Sequence, residues 1–339
     1  MIESLRDILL RLPSARVSRG GSRALLLLAL LALPGAGSPQ VRERPLRIAV
    51  IGLSHPSAGT EAAVSGFEDA LEAALGRDGR AVMTERSLMK PALAGVGYDG
   101  SINMSTDEAR RVGAAIGCDF FMIGMMDAVT RSDRAGESHE EAVGGLMMVD
   151  GRTGALAAFD FIQEKAASRE AAAGQAKQTL VARSAGYIDR LVEYRARLEK
   201  HVSATGGREP VEDLPNEDSP RFTPPRFANR IKPEYPSEAN RANVGGTVEA
   251  MAVFRANGEV GDISITRWAG FGMEESAIRA IRELKFTPAT LDGRPVSVRA
   301  LVRYNFRKLE FVDASEPAPN GPEPDLRKLF KRGARRPPF

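Results

Sequence analysis

Gly246-Thr247-Val248-Glu249-Ala250-Met251-Ala252-Val253-Phe254, then Arg255-Ala256-Asn257-Gly258-Glu259, then Val260-Gly261-Asp262-Ile263-Ser264-Ile265-Thr266-Arg267-Trp268, is the stretch on which the fold turns. Val248, Ala250, Ala252 and Phe254 fall on one face of an alternating run, the mark of a half-buried strand. Asn257-Gly258 is a strong hairpin turn, because both residues tolerate positive φ. Val260–Trp268 returns as a second strand; Ile263 and Ile265 share a face with which Val260 is out of phase, so a bulge or a late start is expected. Downstream, Ala277, Ile278, Ile281 and Leu284 recur at helical spacing from Met273 to Leu284, and Glu274 and Glu275 sit where the helix dipole favours negative charge. Val296 to Phe306 reads as a last strand. The order strand, strand, helix, strand describes a small α+β domain over residues 226–308.

Upstream, residues 45–200 alternate strands and helices, an α/β domain with a mixed sheet and flanking helices. Leu46–Gly52 and Cys118–Met126 are apolar, strand-like runs. Glu61–Leu75 carries Val64, Phe67, Leu71, Ala74 and Leu75 on one helical face, a short strand follows near Ala81–Met83, and Thr106–Ile116 is helical up to Gly117. Glu140–Val149 and Ala155–Lys165 form a hairpin across Asp150-Gly151-Arg152-Thr153-Gly154, and Ser168–Lys200 has the composition of a long helix. Residues 201–225 are rich in proline and acid (Glu209, Glu212, Asp213, Glu217, Asp218) and bury too little to fold, which makes them a spacer.

The two ends are of another kind. Arg16, Arg19 and Arg23 precede the apolar run Ala24–Leu33 and then Pro34-Gly35-Ala36-Gly37-Ser38, the pattern of a secretory signal within residues 1–40. A spanning helix takes about twenty apolar residues, twice this length; a retained short anchor stays open as the alternative. Residues 309–339 hold Arg327, Lys328, Lys331, Arg332, Arg335 and Arg336, expected as a solvated disordered tail, with contact to an anionic envelope polymer as the sharper reading.

Composition excludes several classes. A formal charge of +3 over 339 residues is no electrostatic footprint for nucleic acid. Cys118 is the only cysteine and His55, His139 and His201 lie far apart, so no metal site and no cofactor is assigned. Gly95, Gly97 and Gly100 satisfy the spacing of a dinucleotide fingerprint, but they follow Pro91 in a turn-rich stretch where no helix N-terminus is expected to meet a pyrophosphate, and they read as loop. Cys118 has no base nearby in sequence and reads as a buried strand residue. Glu140 and Glu141 point to opposite faces of a strand, and Asp127, Asp133 and Asp150 read as turn or solvated residues. No catalytic residue is assigned, and an enzyme hidden in the first domain is the minority reading.

The C-terminal region resembles the TonB C-terminal domain family. The residues that carry this are Lys232-Pro233-Glu234-Tyr235-Pro236, Gly245-Gly246-Thr247-Val248, Asn257-Gly258-Glu259-Val260, Phe286-Thr287-Pro288-Ala289 and Gly293-Arg294-Pro295-Val296, in family order. The resemblance implies capture of an outer-membrane transporter segment, or another envelope protein, by addition to the edge of the last strand. On that strand Val298, Ala300, Val302, Tyr304 and Phe306 would face the helix; Arg299, Leu301, Arg303, Asn305 and Arg307 would face a partner and are the candidate site. The same edge could pair with its own copy and give a homodimer. Energy transducers of the family carry a spanning N-terminal helix coupled to an inner-membrane motor, whereas here a short run is followed by a folded domain. The expectation is therefore a periplasmic adaptor, with an anchored energy transducer as the alternative. Residues 45–198 resemble, more weakly, the periplasmic α/β domains of the CsgG and LpoB type, through Arg47–Val50, Thr84–Leu88, Gly117–Gly124 and Val149–Gly154.

Overall fold

β1 (Leu46–Ser54) opens a computed structural model that describes residues 44–57, 60–132, 136–204, 211 and 221–307. The expected signal run, Asp133, the basic tail, and residues 205–210 and 212–220 of the expected spacer, with all five of its acids, lie outside these residues; of the rest, 201–204 belong to a helix and Phe222–Thr223 to a strand. After β1 come α1 (Glu61–Val64), α2 (Phe67–Leu75), β2 (Ala81–Met83), α3 (Arg86–Gly95) and α4 (Thr106–Ile116). Then follow β3 (Phe120–Ser132), β4 (Ser138–Asp150), β5 (Leu156–Ala166), α5 (Arg169–Ala182) and α6 (Ser184–Ala204). The strands form one sheet in the order β2-β1-β3-β4-β5. β1 runs parallel to β2 and β3, while β3, β4 and β5 are antiparallel neighbours, the expected mixed sheet.

Local chemistry accounts for where elements begin and end. The helix expected over 61–75 is broken, because Gly66 takes φ 72° and splits it into α1 and α2. The long helix expected over 168–200 is likewise two helices, with Arg183 between them. Ser105 caps α4 in a capping box with Glu108, and Gly117 ends it in the left-handed region. α3 was not expected: Pro91 lies inside it as its sixth residue, where the missing N–H costs one helical bond.

The second region contains β6 (Phe222–Thr223), β7 (Arg226–Phe227), α7 (Ser237–Ala242), β8 (Gly246–Phe254) and β9 (Val260–Arg267). It continues through α8 (Met273–Arg282), β10 (Phe286–Thr287), β11 (Ala289–Leu291), β12 (Arg294–Val296) and β13 (Val298–Phe306). The expected final strand is divided at Ser297, and only β13 joins the three-stranded sheet, in the order β13-β8-β9. Between Phe254↔Val260 and Ala252↔Ile263 the register shifts, which is the bulge that the phase of Val260 demanded. Phe254 meets Phe227 and Phe286 edge to face, with centroids 5.1 and 5.0 Å apart, near one end of this sheet.

Both faces of the five-stranded sheet are covered. On one, Ile48, Val50, Phe120, Met122, Leu146 and Ile162 pack with Leu71 of α2, Leu180 of α5 and Leu191 of α6. On the other, Phe121, Ile123, Met125, Val143 and Met147 share a buried cluster with Val112 of α4 and with Trp268, Phe271, Met273 and Ala277 of the second region. The TonB-like region is thus the second cover of the first region's sheet.

Candidate functional site

β13 pairs antiparallel with β8 over nine residue pairs, from Val298↔Phe254 to Phe306↔Gly246, and β8 occupies the centre of its sheet. Among the described residues no strand pairs with the other side of β13. Val298, Ala300, Val302 and Tyr304 pack in the cluster of Ala250, Ala252 and Ile281, as the alternation required. Phe306 is buried in the cluster between the two regions, with its ring centroid 6.3 Å from that of Tyr235.

The residues expected to meet a partner lie together on the opposite face. Arg303 stands across from Glu249, and its Nε–H donates to Glu249 Oε1 at 2.7 Å. Thr247 Oγ1 donates to Asn305 Oδ1 at 2.9 Å. Leu301 lies opposite Met251, Arg299 opposite Val253, and Arg307 follows the strand in an exposed position. Arg303 and Asn305 are therefore tied to β8 by side-chain bonds, which fixes the orientation of these two.

The other long edge, β5, is finished differently. Arg183 donates to the backbone carbonyl of Phe161 at 3.1 Å, and Arg190 to that of Phe159 at 3.4 Å. Both arginines are held by Asp160, which lies 2.9 Å from Arg183 Nη1 and 3.7 Å from Arg190 Nη1. Asp160 Oδ2 also accepts from the buried Tyr187 hydroxyl at 2.7 Å, and burial followed by this bond pushes the Tyr187 pKa well up. β5 is an edge with two of its carbonyls, those of Phe159 and Phe161, already used.

What sequence reading missed is the contact between the regions. The Trp268 indole N–H donates to Gly154 O at 2.9 Å, and its ring is fully buried. Asn103 bonds Thr247 in both directions and also reaches Trp268 O, which ties the segment before α4 to β8 and β9. Phe271 sits at φ 55° between Gly270 and Gly272, and its ring lies 4.9 Å from Phe159 and 6.3 Å from Phe161. A Cβ at Gly145 would lie 2.7 Å from both Phe159 and Phe271, so glycine is required under this wedge. Glu274 closes the same loop: its carboxylate accepts from the Ala269 and Gly270 N–H groups, the latter at 2.8 Å, and burial raises its pKa despite those bonds. Glu141, fully buried, is gripped by Arg131 of β3 at 2.6 Å and by Arg241 of α7 at 2.7 Å.

The residues set aside as chemistry have other duties. Gly95 ends α3, and Gly97 and Gly100 turn at φ 68° and 90° in the loop that follows; α4 begins only at Thr106, and the Ser105 side chain already accepts the Glu108 N–H of its first turn. That loop, with Glu108, Arg111 and Arg267, lines a polar cavity of about 250 Å3. Cys118 is half-buried, and burial pushes its thiol up to about 12, away from thiolate chemistry. Glu140 lies near Arg169 and Glu141 between its two arginines, on separate faces. Asp127 is a correction: it is buried in β3, not solvated, and accepts from the Ser57 hydroxyl. Asp150 is a turn residue, accepting from the Arg152 and Thr153 N–H groups, yet it is buried too.

Residues 231–307 match the family model described as Gram-negative bacterial TonB protein C-terminal. No curated protein matches the chain. Among solved structures, the TonB C-terminal domain of Pseudomonas aeruginosa is 16% identical with a TM-score of 0.24, covering 29% of this chain and 98% of that one. The hypothetical protein CT253 of Chlamydia trachomatis is 12% identical with a TM-score of 0.31, covering 43% of this chain and 98% of its own. The LpoB C-terminal domain of Salmonella enterica is 11% identical with a TM-score of 0.26, covering 37% of this chain and 84% of its own.

Proposed function

With residues 231–307 forming a TonB-type C-terminal domain, we propose that this chain is a periplasmic adaptor of the cell envelope that captures an extended segment of an outer-membrane protein by strand addition to β13. The observation that carries this reading is the asymmetry of the two long edges: arginines occupy carbonyls of β5, whereas no side chain bonds the β13 backbone among the described residues. Natural sheets blunt the edges they do not use. The bonds that engage Asp127, Asp150 and Glu141 within the fold support a reading as binding rather than catalysis.

A photo-crosslinking side chain placed at Asn305, in the full chain in a Gram-negative host, tests it. The expected product is a cross-link to an extended segment of an outer-membrane protein, absent when the same group is placed at Gln163 on β5. Equal cross-linking from both edges, or none from Asn305, would sink the reading. The family match also motivates a second one, an anchored energy transducer, which turns on whether Ala24–Leu33 stays on the mature chain. N-terminal sequencing of the mature protein separates the two: cleavage near Gly37 supports the adaptor, and an intact N-terminus in the inner-membrane fraction supports the transducer.

A further inference from the structure

The cavity of about 250 Å3 belongs to both regions: the loop after α3 and one face of α4 line it together with Arg267 of β9. Four charged side chains reach it, and they are not equivalent. Arg267 and Glu108 neutralise each other at 3.1 Å; Glu108 also accepts the Ser105 N–H at 2.7 Å, and Arg267 donates to Asn103 O at 2.9 Å. Asp99 and Arg111 are left over. Asp99 accepts the Ser101 N–H at 2.9 Å and has no ion-pair partner among the described residues, and Arg111 has no partner of either kind there. Both are exposed. Between these charges the wall is partly apolar, with Val96 beside Met104 and Val112, the latter two buried in the cluster that the regions share. Burial pushes the Tyr98 hydroxyl up to about 12, so that ring adds no charge.

We propose that this cavity binds a free α-amino acid with an apolar side chain, independently of β13. Arg111 takes its carboxylate, Asp99 its ammonium, and Val96, Met104 and Val112 its side chain. Size agrees, because pockets for drug-sized ligands hold roughly 300–1,000 Å3 and this one is smaller. Charge agrees as well. A simple anion drawn to Arg111 would also meet Asp99, and a simple cation drawn to Asp99 would meet Arg111, so the pair selects a molecule that carries both signs. A guanidinium fork matches a carboxylate through two parallel bonds. Asn103 and Arg267, which tie the regions together, line the same cavity, so an occupied site also holds the second region on the first.

Isothermal titration calorimetry on the full chain tests this with leucine and methionine in L and D forms, with their N-acetyl and amide derivatives, and with glycine. At least one free amino acid is expected to bind. Its N-acetyl form, which lacks the cation, and its amide, which lacks the anion, should each bind about tenfold weaker. Glycine, with no side chain to bury, should bind more weakly than its larger relatives. R111Q should weaken the free amino acid about tenfold and leave its amide unchanged. D99N should weaken the free amino acid and leave its N-acetyl form unchanged, since the new amide oxygen still accepts the Ser101 N–H. No heat from any free amino acid at millimolar concentration overturns the proposal, and so does binding that survives both substitutions. An N-acetyl form binding as tightly as its parent overturns it too, and would mark a seat for the carboxyl end of a peptide. Should either variant lose its fold by circular dichroism, the parent compared with its two derivatives on the unaltered chain decides alone.

Discussion

β5 and β13 both end a sheet and both run nine residues or more, and among the described residues only β5 has backbone carbonyls bonded by side chains. On β5 the closure is built from the adjoining helical hairpin: Arg183 and Arg190 bond backbone carbonyls, and Asp160 with Tyr187 holds the arginines from beneath. On β13 the arginines lie on the strand itself and project from its face, so they colour the edge with charge without occupying its backbone. The same residue type is therefore placed in two ways: from outside the strand it occupies backbone carbonyls, and on the strand it leaves them to the strand's neighbours.

The strongest way to break the contrast is to loosen β13 at its anchored end. Phe306→Ala removes a buried ring from the cluster between the regions and should cost about 3–5 kcal/mol in urea unfolding, with loss of strand-peptide binding. Asp160→Ala attacks the other edge. It leaves the buried Tyr187 hydroxyl without its acceptor, about 1–3 kcal/mol, and frees both arginines to swing off β5. Concentration-dependent association should then appear in sedimentation, and a variant that stays at its original size would show that β5 is closed by other means. Arg183→Ala with Arg190→Ala isolates that closure; the pairs are half-exposed and worth about 0–1 kcal/mol each, so association should rise with little change in the unfolding midpoint. The smallest effect concerns the join of β13 to β8. Glu249→Gln should cost about 0–1 kcal/mol in urea unfolding, because Arg303 no longer has a carboxylate across the strand pair.

Much of the C-terminal fold was readable from local signals. The alternation of Val248 to Phe254, the Asn257-Gly258 turn and the phase slip at Val260 each state a structural fact within a few residues. The candidate row on β13 was readable for the same reason, since a two-residue period fixes which side chains share a face. The break that one left-handed angle makes at Gly66, and the one at Arg183, where the backbone stays in the right-handed region, were not, because helix-favouring composition continues across them. Nor was the contact between the regions, whose parts lie more than a hundred residues apart, as Trp268 does from Gly154. One signal did point to it. β4 is buried without interruption from Glu141 to Asp150, so both of its faces need cover, and the helices expected of the first region had no evident surplus to supply it. Gly144-Gly145 marked where something bulky would press against that face.

The ladder joining β13 to β8 has a mechanical consequence. Its nine pairs lie side by side along the strand, and Phe306 fixes one end in a core shared with the larger sheet. Tension drawn lengthwise through an added strand would load those rungs in shear, all at once, whereas tension across the strand would peel them one after another. A tether engaged along β13 is thus strong in one direction and releasable in the other.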